Sequence, residues 1–242
     1  MVDIVNYKIK DMDNIKIYKD NYQVCYNLAK ELKRLNQRGA TVALSGGSSP
    51  LLLFNIMKDD FKPSDFDKIK FFWVDERFVE KQSEESNFGN FSRILIDNNV
   101  ISKKQVFPMY KNLSIDETIR NMESKISDNV QFSNGLPSFD LIILGLGDDG
   151  HTASLFPDNL KALDSIDILI KTKHPISKQN RITLTKNVIN NSKKIVFLCL
   201  GENKAYKIKQ VLIEQDKTLP ASYIKRDETV YWYLDRTAAI LI

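Results

Sequence analysis

Apolar residues recur in two rhythms along this chain. Val24, Cys25, Leu28, Leu32 and Leu35 return every three or four positions, which predicts a helix over Asn21–Gln37, stopped at Gly39. Ala40–Leu44, Lys68–Val74 (KIKFFWV), Phe139–Leu144 (FDLIIL) and Lys194–Leu200 (KIVFLCL) are instead short, nearly continuous apolar runs. Runs of that kind belong to strands covered on both faces. Further helices are predicted between them. Ser48-Ser49-Pro50 supplies a cap and a first-turn proline for a helix to about Met57, and Ser86–Asn98 is helical. Ser114 and Glu117 have capping-box spacing before a helix to about Ile126, and Asn203–Gln215 is helical too. Shorter strands are expected at Asn14–Tyr18, Val106–Met109, Ile166–Lys171, Arg181–Thr185 and Val230–Leu234, with a helical end to the chain. The alternation predicts an α/β fold: a Rossmann-like, mostly parallel sheet with helices on both faces. No Pro/Gly/Ser-rich linker interrupts it, so residues 1–242 are read as a single domain. In such sheets ligands bind at the carboxyl ends of the strands.

Composition narrows the function. The longest apolar run, around Leu141–Leu146, is strand-sized, so no membrane partner is expected. Met1–Asp13 alternates apolar and charged residues and does not read as a secretory leader. The two cysteines, Cys25 and Cys199, each lie in an apolar pattern; they make neither a disulfide framework nor a zinc site, and a reducing, cytoplasmic setting follows. Lys and Arg exceed Asp and Glu by 35 to 31, a net charge of +4 spread too evenly for a nucleic-acid partner. A basic pocket for a small anion is the reading that fits.

Four segments at strand ends can carry chemistry. Leu44–Pro50 (LSGGSSP) joins a strand to a helix, and Gly46, Gly47 and Ser48 would let backbone N–H groups cradle a phosphate, although a tight turn with a good cap would use the same residues. It is neither a Walker A loop nor G-x-G-x-x-G. After the aromatic strand, Asp75-Glu76-Arg77 leaves the sheet and is not expected in a buried ladder; Asp75 would hold a hydroxyl and Arg77 a phosphate, against the plainer alternative of a solvated ion-pair cluster. Gly145–Thr152 (GLGDDGHT) is the strongest segment. His151 would act as general base and Asp149 would orient its imidazole, where the bland alternative is a loop histidine capping a helix. The other histidine, His174, is read as surface. Lys173, Lys178, Arg181 and Lys204 form a set of cations on later loops suited to a phosphorylated ligand. There is no Gly-x-Ser-x-Gly elbow and no cluster with metal-ligand spacing, so the residues point to an acid/base reaction without metal or cofactor on a small phosphorylated molecule.

ALSGGSSP (43–50), FFWVDERFV (71–79) with Ser86-Asn87, LIILGLGDDGHTASLFP (141–157), RITLT (181–185), VFLCLGENKA (196–205), LPAS (219–222) and YWYLD (231–235) together resemble the 6-phosphogluconolactonases over nearly the whole chain. The resemblance implies a fold like that of sugar-phosphate isomerases and amino-sugar-phosphate deaminases. It also implies hydrolysis of 6-phospho-D-glucono-1,5-lactone to 6-phosphogluconate in the oxidative pentose phosphate pathway. By it, His151 takes a proton from the attacking water, and Gly46–Ser48, Arg77, Arg181 and Lys204 contact phosphate or substrate. Asp75 and Asn87 become hydroxyl contacts, and N–H groups near Gly147 steady the oxyanion. A lysine before the Arg-Ile-Thr segment is common in relatives; here Lys173 and Lys178 both qualify. Fusion or association with glucose-6-phosphate dehydrogenase, known in some lineages, stays open. The related deaminases carry a Glu five residues after the histidine, where this chain has Phe156, and Asp-Glu-Tyr where it has Asp75-Glu76-Arg77. Both differences favour the lactonase over the deaminase. The retained His151 argues against a non-catalytic sugar-phosphate sensor.

Overall fold

The computed structural model describes residues 14–242; the reading of Met1–Asp13 lies outside them. The main sheet has six strands: β1 (Ile15–Tyr18), β2 (Ala40–Leu44), β3 (Ile69–Trp73), β7 (Leu141–Leu144), β10 (Ile195–Cys199) and β11 (Val230–Asp235), the numbering being that of the whole chain. Their order is β1-β11-β10-β7-β2-β3 and every pairing is parallel. All residues of β2, β7 and β10 are buried, so both faces of the sheet centre are covered. That is why these strands read as unbroken apolar runs.

Helix α1 (Asn21–Asn36) starts where the Asp20 carboxylate accepts the Gln23 N–H at 2.9 Å, and it buries the predicted stripe Val24, Cys25, Leu28, Leu32 and Leu35. Lys33 and Arg34 complement the carboxyl end of its dipole. Helix α2 (Ser48–Asp60) begins at Gly47, whose φ of 105° is open only to glycine at little cost. Helix α3 (Asn87–Phe91) starts on the Ser86 cap and runs into a wider π-type turn over Ser92–Ile96. The Ser114–Glu117 capping box opens α4 (Ile115–Asn129) as the spacing predicted. A short α5 (Lys186–Asn190) follows the second sheet.

That second sheet is the main departure from expectation. Strands β4 (Asp75–Arg77), β9 (Asn180–Leu184) and β8 (Leu169–Lys173) form an antiparallel sheet in the order β4-β9-β8. Asp75-Glu76-Arg77 is therefore in a ladder, contrary to the sequence reading, and Glu76 is fully buried. The reason is local: the Glu76 carboxylate accepts from the N–H groups of Arg77, Asn87 and Phe88 at 2.8 Å each and from the Ser86 hydroxyl at 3.2 Å. An acid with four donors can be buried where a bare one cannot. The predicted strand Val106–Met109 shrinks to one bridge, Val106 to Phe71, because Pro108 cannot donate to a ladder. The predicted helix Asn203–Gln215 divides into a 3-10 turn (Glu202–Lys204), α6 (Ala205–Lys209) and a π-type turn (Gln210–Glu214). A small hairpin, β5 (Phe132–Ser133) with β6 (Leu136–Pro137), was not predicted, although its Asn134-Gly135 turn has positive φ at both residues, the strongest dipeptide signal for such a turn. Among the described residues no helix is long and apolar enough to cross a membrane.

Candidate active site

The carboxyl ends of β2, β3, β7 and β10 meet β4 and β9 around a cleft of about 270 Å³. Gly46, Gly47, Ser48, Asp75, Arg77, Asn87, His151, Arg181 and Lys204 all line it. Asp149 reaches it through His151. Lys173 and Lys178 do not line it: both are exposed, and the Lys178 ammonium donates to its own loop at the Pro175 carbonyl. His174, read as surface, lines the cleft instead, because the β8–β9 connection folds inward beside Phe156.

The loop after β7 builds the His151 corner. Thr152 Oγ1 donates to the Gly145 carbonyl at 2.9 Å, and the Gly147 N–H donates to the His151 carbonyl at 2.8 Å. The Gly147 N–H is thus occupied and is not a donor for an oxyanion. A Cβ on Gly147 would come within 2.1 Å of His151 Nδ1, so only glycine lets the imidazole lie across that backbone. Asp149 Oδ1 sits 2.5 Å from His151 Nδ1 and also accepts the His151 backbone N–H at 3.0 Å. Partial burial raises the Asp149 pKa, but its hydrogen bonds to His151 and the histidine's charge outweigh that and bring it to about 2. An ionised Asp149 takes the proton-bearing nitrogen of the ring, which leaves Nε2 with a free lone pair. Phe156 stacks obliquely on the other side of the His151 ring, 5.0 Å between centroids.

The opposite corner rests on Glu76. By gathering the N–H groups that open α3, it fixes Asn87 and Arg77 at the cleft wall. Asn87 Nδ2 donates to the Asp75 carbonyl at 2.9 Å, and its Oδ1 is buried without a partner. A Cβ on Gly46 would fall 1.8 Å from that oxygen, so the glycine loop and Asn87 are fitted to each other. Asp75 Oδ2 accepts from the Ser154 hydroxyl at 2.6 Å; Ser154, with 1% of its surface exposed, is a support that no sequence signal had singled out. Its neighbour Ala153 has φ of 52°, an uncommon conformation for a residue with a Cβ, held by bonds on both sides through Thr152 and Ser154.

Positive charge converges here. Arg77 and Arg181 stand opposite each other in the β4–β9 register, so two guanidinium groups share one face of the sheet. Burial and then the charge of Arg77 lower the Arg181 pKa, and Arg181 Nε is buried without a partner. Like charges held together with an unused donor are chemically suited to an anion. The first turn of α2 adds N–H groups that have no acceptor within the helix, at the positive end of its dipole. Lys204 lies at the cleft's edge, 2.5 Å from Asp148, which is 77% exposed. Cys25 and Cys199 are both buried and do not line the cleft, and burial pushes both thiols up to about 12.

Residues 21–232 match the family model for glucosamine-6-phosphate isomerases/6-phosphogluconolactonase. A 6-phosphogluconolactonase of Aggregatibacter actinomycetemcomitans is 33% identical over 208 residues, covering 84% of this chain and 88% of that one. The crystal structure of a devB protein superposes with a TM-score of 0.89 at 30% identity, covering 95% of this chain and 99% of the other. That of 6-phosphogluconolactonase from Leishmania guyanensis gives 0.80 at 25% identity, over 93% and 97%. By sequence and by fold, the chain belongs to the 6-phosphogluconolactonase family.

Proposed function

We propose that this protein hydrolyses 6-phospho-D-glucono-1,5-lactone to 6-phospho-D-gluconate, with His151 as general base. The observation that carries the reading is the Asp149–His151 pair opening onto the same cleft as two adjacent arginines and the glycine loop. His151 Nε2 takes a proton from a water molecule while the water oxygen bonds to the lactone carbonyl carbon. The carbonyl electrons move to oxygen. As they return, the bond to the ring oxygen breaks, and that oxygen takes the proton held on His151. One water is consumed and the acid formed ionises at neutral pH. Asp149 keeps Nδ1 protonated throughout and stabilises the imidazolium.

Gly46, Gly47 and Ser48, with Arg77, Arg181 and Lys204, take the phosphoryl group, and Asp75 and Asn87 at the cleft wall meet sugar hydroxyls. Phe156 offers no acid or base beside His151, which disfavours the ring-opening deamination of the related enzymes. Two buried, unpaired thiols suit a reducing compartment such as the cytoplasm. The test generates the lactone in place with a dehydrogenase, at mildly acidic pH to slow its spontaneous opening. Faster 6-phosphogluconate formation with the protein is the expected result; a rate equal to the protein-free control would refute the reading.

A further inference from the structure

His174 lies on a tight turn between β8 and β9, and its ring has a definite protonation pattern. Its Nδ1 accepts the backbone N–H groups of Ile176 at 3.3 Å and Ser177 at 3.2 Å. A ring nitrogen that accepts two N–H groups carries no proton, so in the neutral ring the proton is on Nε2. The ring packs edge-on against Phe156, 5.3 Å between centroids, and Phe156 also packs against His151. Nε2 has no hydrogen-bond partner among the described residues, and His174 lines the cleft with Arg77 and Arg181. The turn is itself fastened: the His174 N–H donates to the Gln179 carbonyl, and the Gln179 amide donates to Glu85 at 2.9 Å, whose carbonyl accepts from Arg77.

From this arrangement we propose that His174 Nε2–H is a third donor to the phosphoryl group, beside Arg77 and Arg181. The proposal rests on the reading of the cleft as a sugar-phosphate site. It assigns to an imidazole the part that the sequence reading gave to Lys173 or Lys178. The groups facing the ring are Arg181 on β9, Arg77 on β4, and His151 and Asp149 on the loop after β7. Burial comes first, then Arg181, His151 and Arg77, in holding His174 below the ordinary histidine pKa, with Asp149 opposing them. The neutral ring that this favours keeps its Nε2–H as a donor. A phosphate dianion in the site offsets the arginine charges, so the His174 midpoint rises when ligand binds.

The chain has only two histidines, so long-range ¹H–¹⁵N spectra separate their rings, with His151→Ala as the assignment control. The expected spectrum of the free protein shows His174 protonated on Nε2, and saturating 6-phosphogluconate raises its titration midpoint. His174→Phe keeps a ring against Phe156 but removes the donor; it is expected to bind 6-phosphogluconate about tenfold more weakly, the worth of one hydrogen bond to a charged group. His174→Gln, which keeps an N–H donor, retains more of the affinity than His174→Phe. An Nδ1-protonated ring, a midpoint unmoved by ligand, or wild-type affinity in His174→Phe would each overturn the proposal. Wild-type protein that binds 6-phosphogluconate but opens no lactone would refute the proposed reaction and leave His174 standing. Wild-type protein that does not bind it at all would overturn both.

Discussion

Asp75-Glu76 and Asp148-Asp149 are both acid pairs placed just beyond a strand of the main sheet, and the fold puts them to opposite use. Asp149 is 43% exposed and pairs with a histidine, and its pKa falls to about 2. Glu76 is sealed among backbone donors, and burial raises it to about 7, its three backbone hydrogen bonds offsetting only part of the cost and Asp75 adding to it. In the proposed reaction the first acid serves the reacting side chain. The second shapes a wall. Local sequence does not separate the two cases, since both are strings of charge after an apolar strand. What separates them is the next element in space: a glycine turn with one imidazole in the first case, and the N-terminus of α3 in the second.

Substitutions should widen that difference. His151→Ala is expected to lower kcat by about 10²–10⁴-fold with the fold retained, the usual worth of a general base, as steady-state rates and a thermal melt will show. Asp149→Asn, which leaves Nδ1 without a charged acceptor, should lower kcat by about 10²-fold and alter folding stability little. Glu76→Gln should do the reverse in stability: it puts an amide NH₂ among N–H donors and should cost about 1–3 kcal/mol in urea unfolding. The pH dependence of stability should show both acids. Glu76 has a folded-state pKa above its unfolded one, so its contribution is full below about pH 4.5 and is lost as pH rises towards 7. Asp149 is depressed, so its contribution holds above about pH 4 and is lost as pH falls towards 2. Glu76→Gln should flatten the first slope and leave the second. The smallest effect is expected from Asp148→Asn: an exposed partner of Lys204 is worth within about 1 kcal/mol, and 6-phosphogluconate affinity measured by calorimetry should change correspondingly little.

The parts of the fold legible in the sequence were those governed by burial or by a local cap such as Ser114–Glu117. β2 and the α1 stripe fall where their apolar spacing put them, because both faces, or one continuous stripe, are covered. The β4–β9–β8 sheet was not legible as a sheet, since its pairing depends on Glu76 finding donors ten or more residues away. The cleft divides in the same way. Gly147 and His151 lie within one turn and could be read together; Ser154 and His174 enter only through contacts with Asp75 and Phe156 across the fold. Lys173 and Lys178 had the right charge in the right stretch, but the hairpin turns them outward.

The most direct test of the central claim is the lactone-clearance rate of wild-type protein against His151→Ala at equal concentration of folded protein. Rapid clearance is expected of the wild type, and a rate near the uncatalysed background of the variant. Equal rates for the two proteins would take the base away from His151 and with it the meaning given to Asp149.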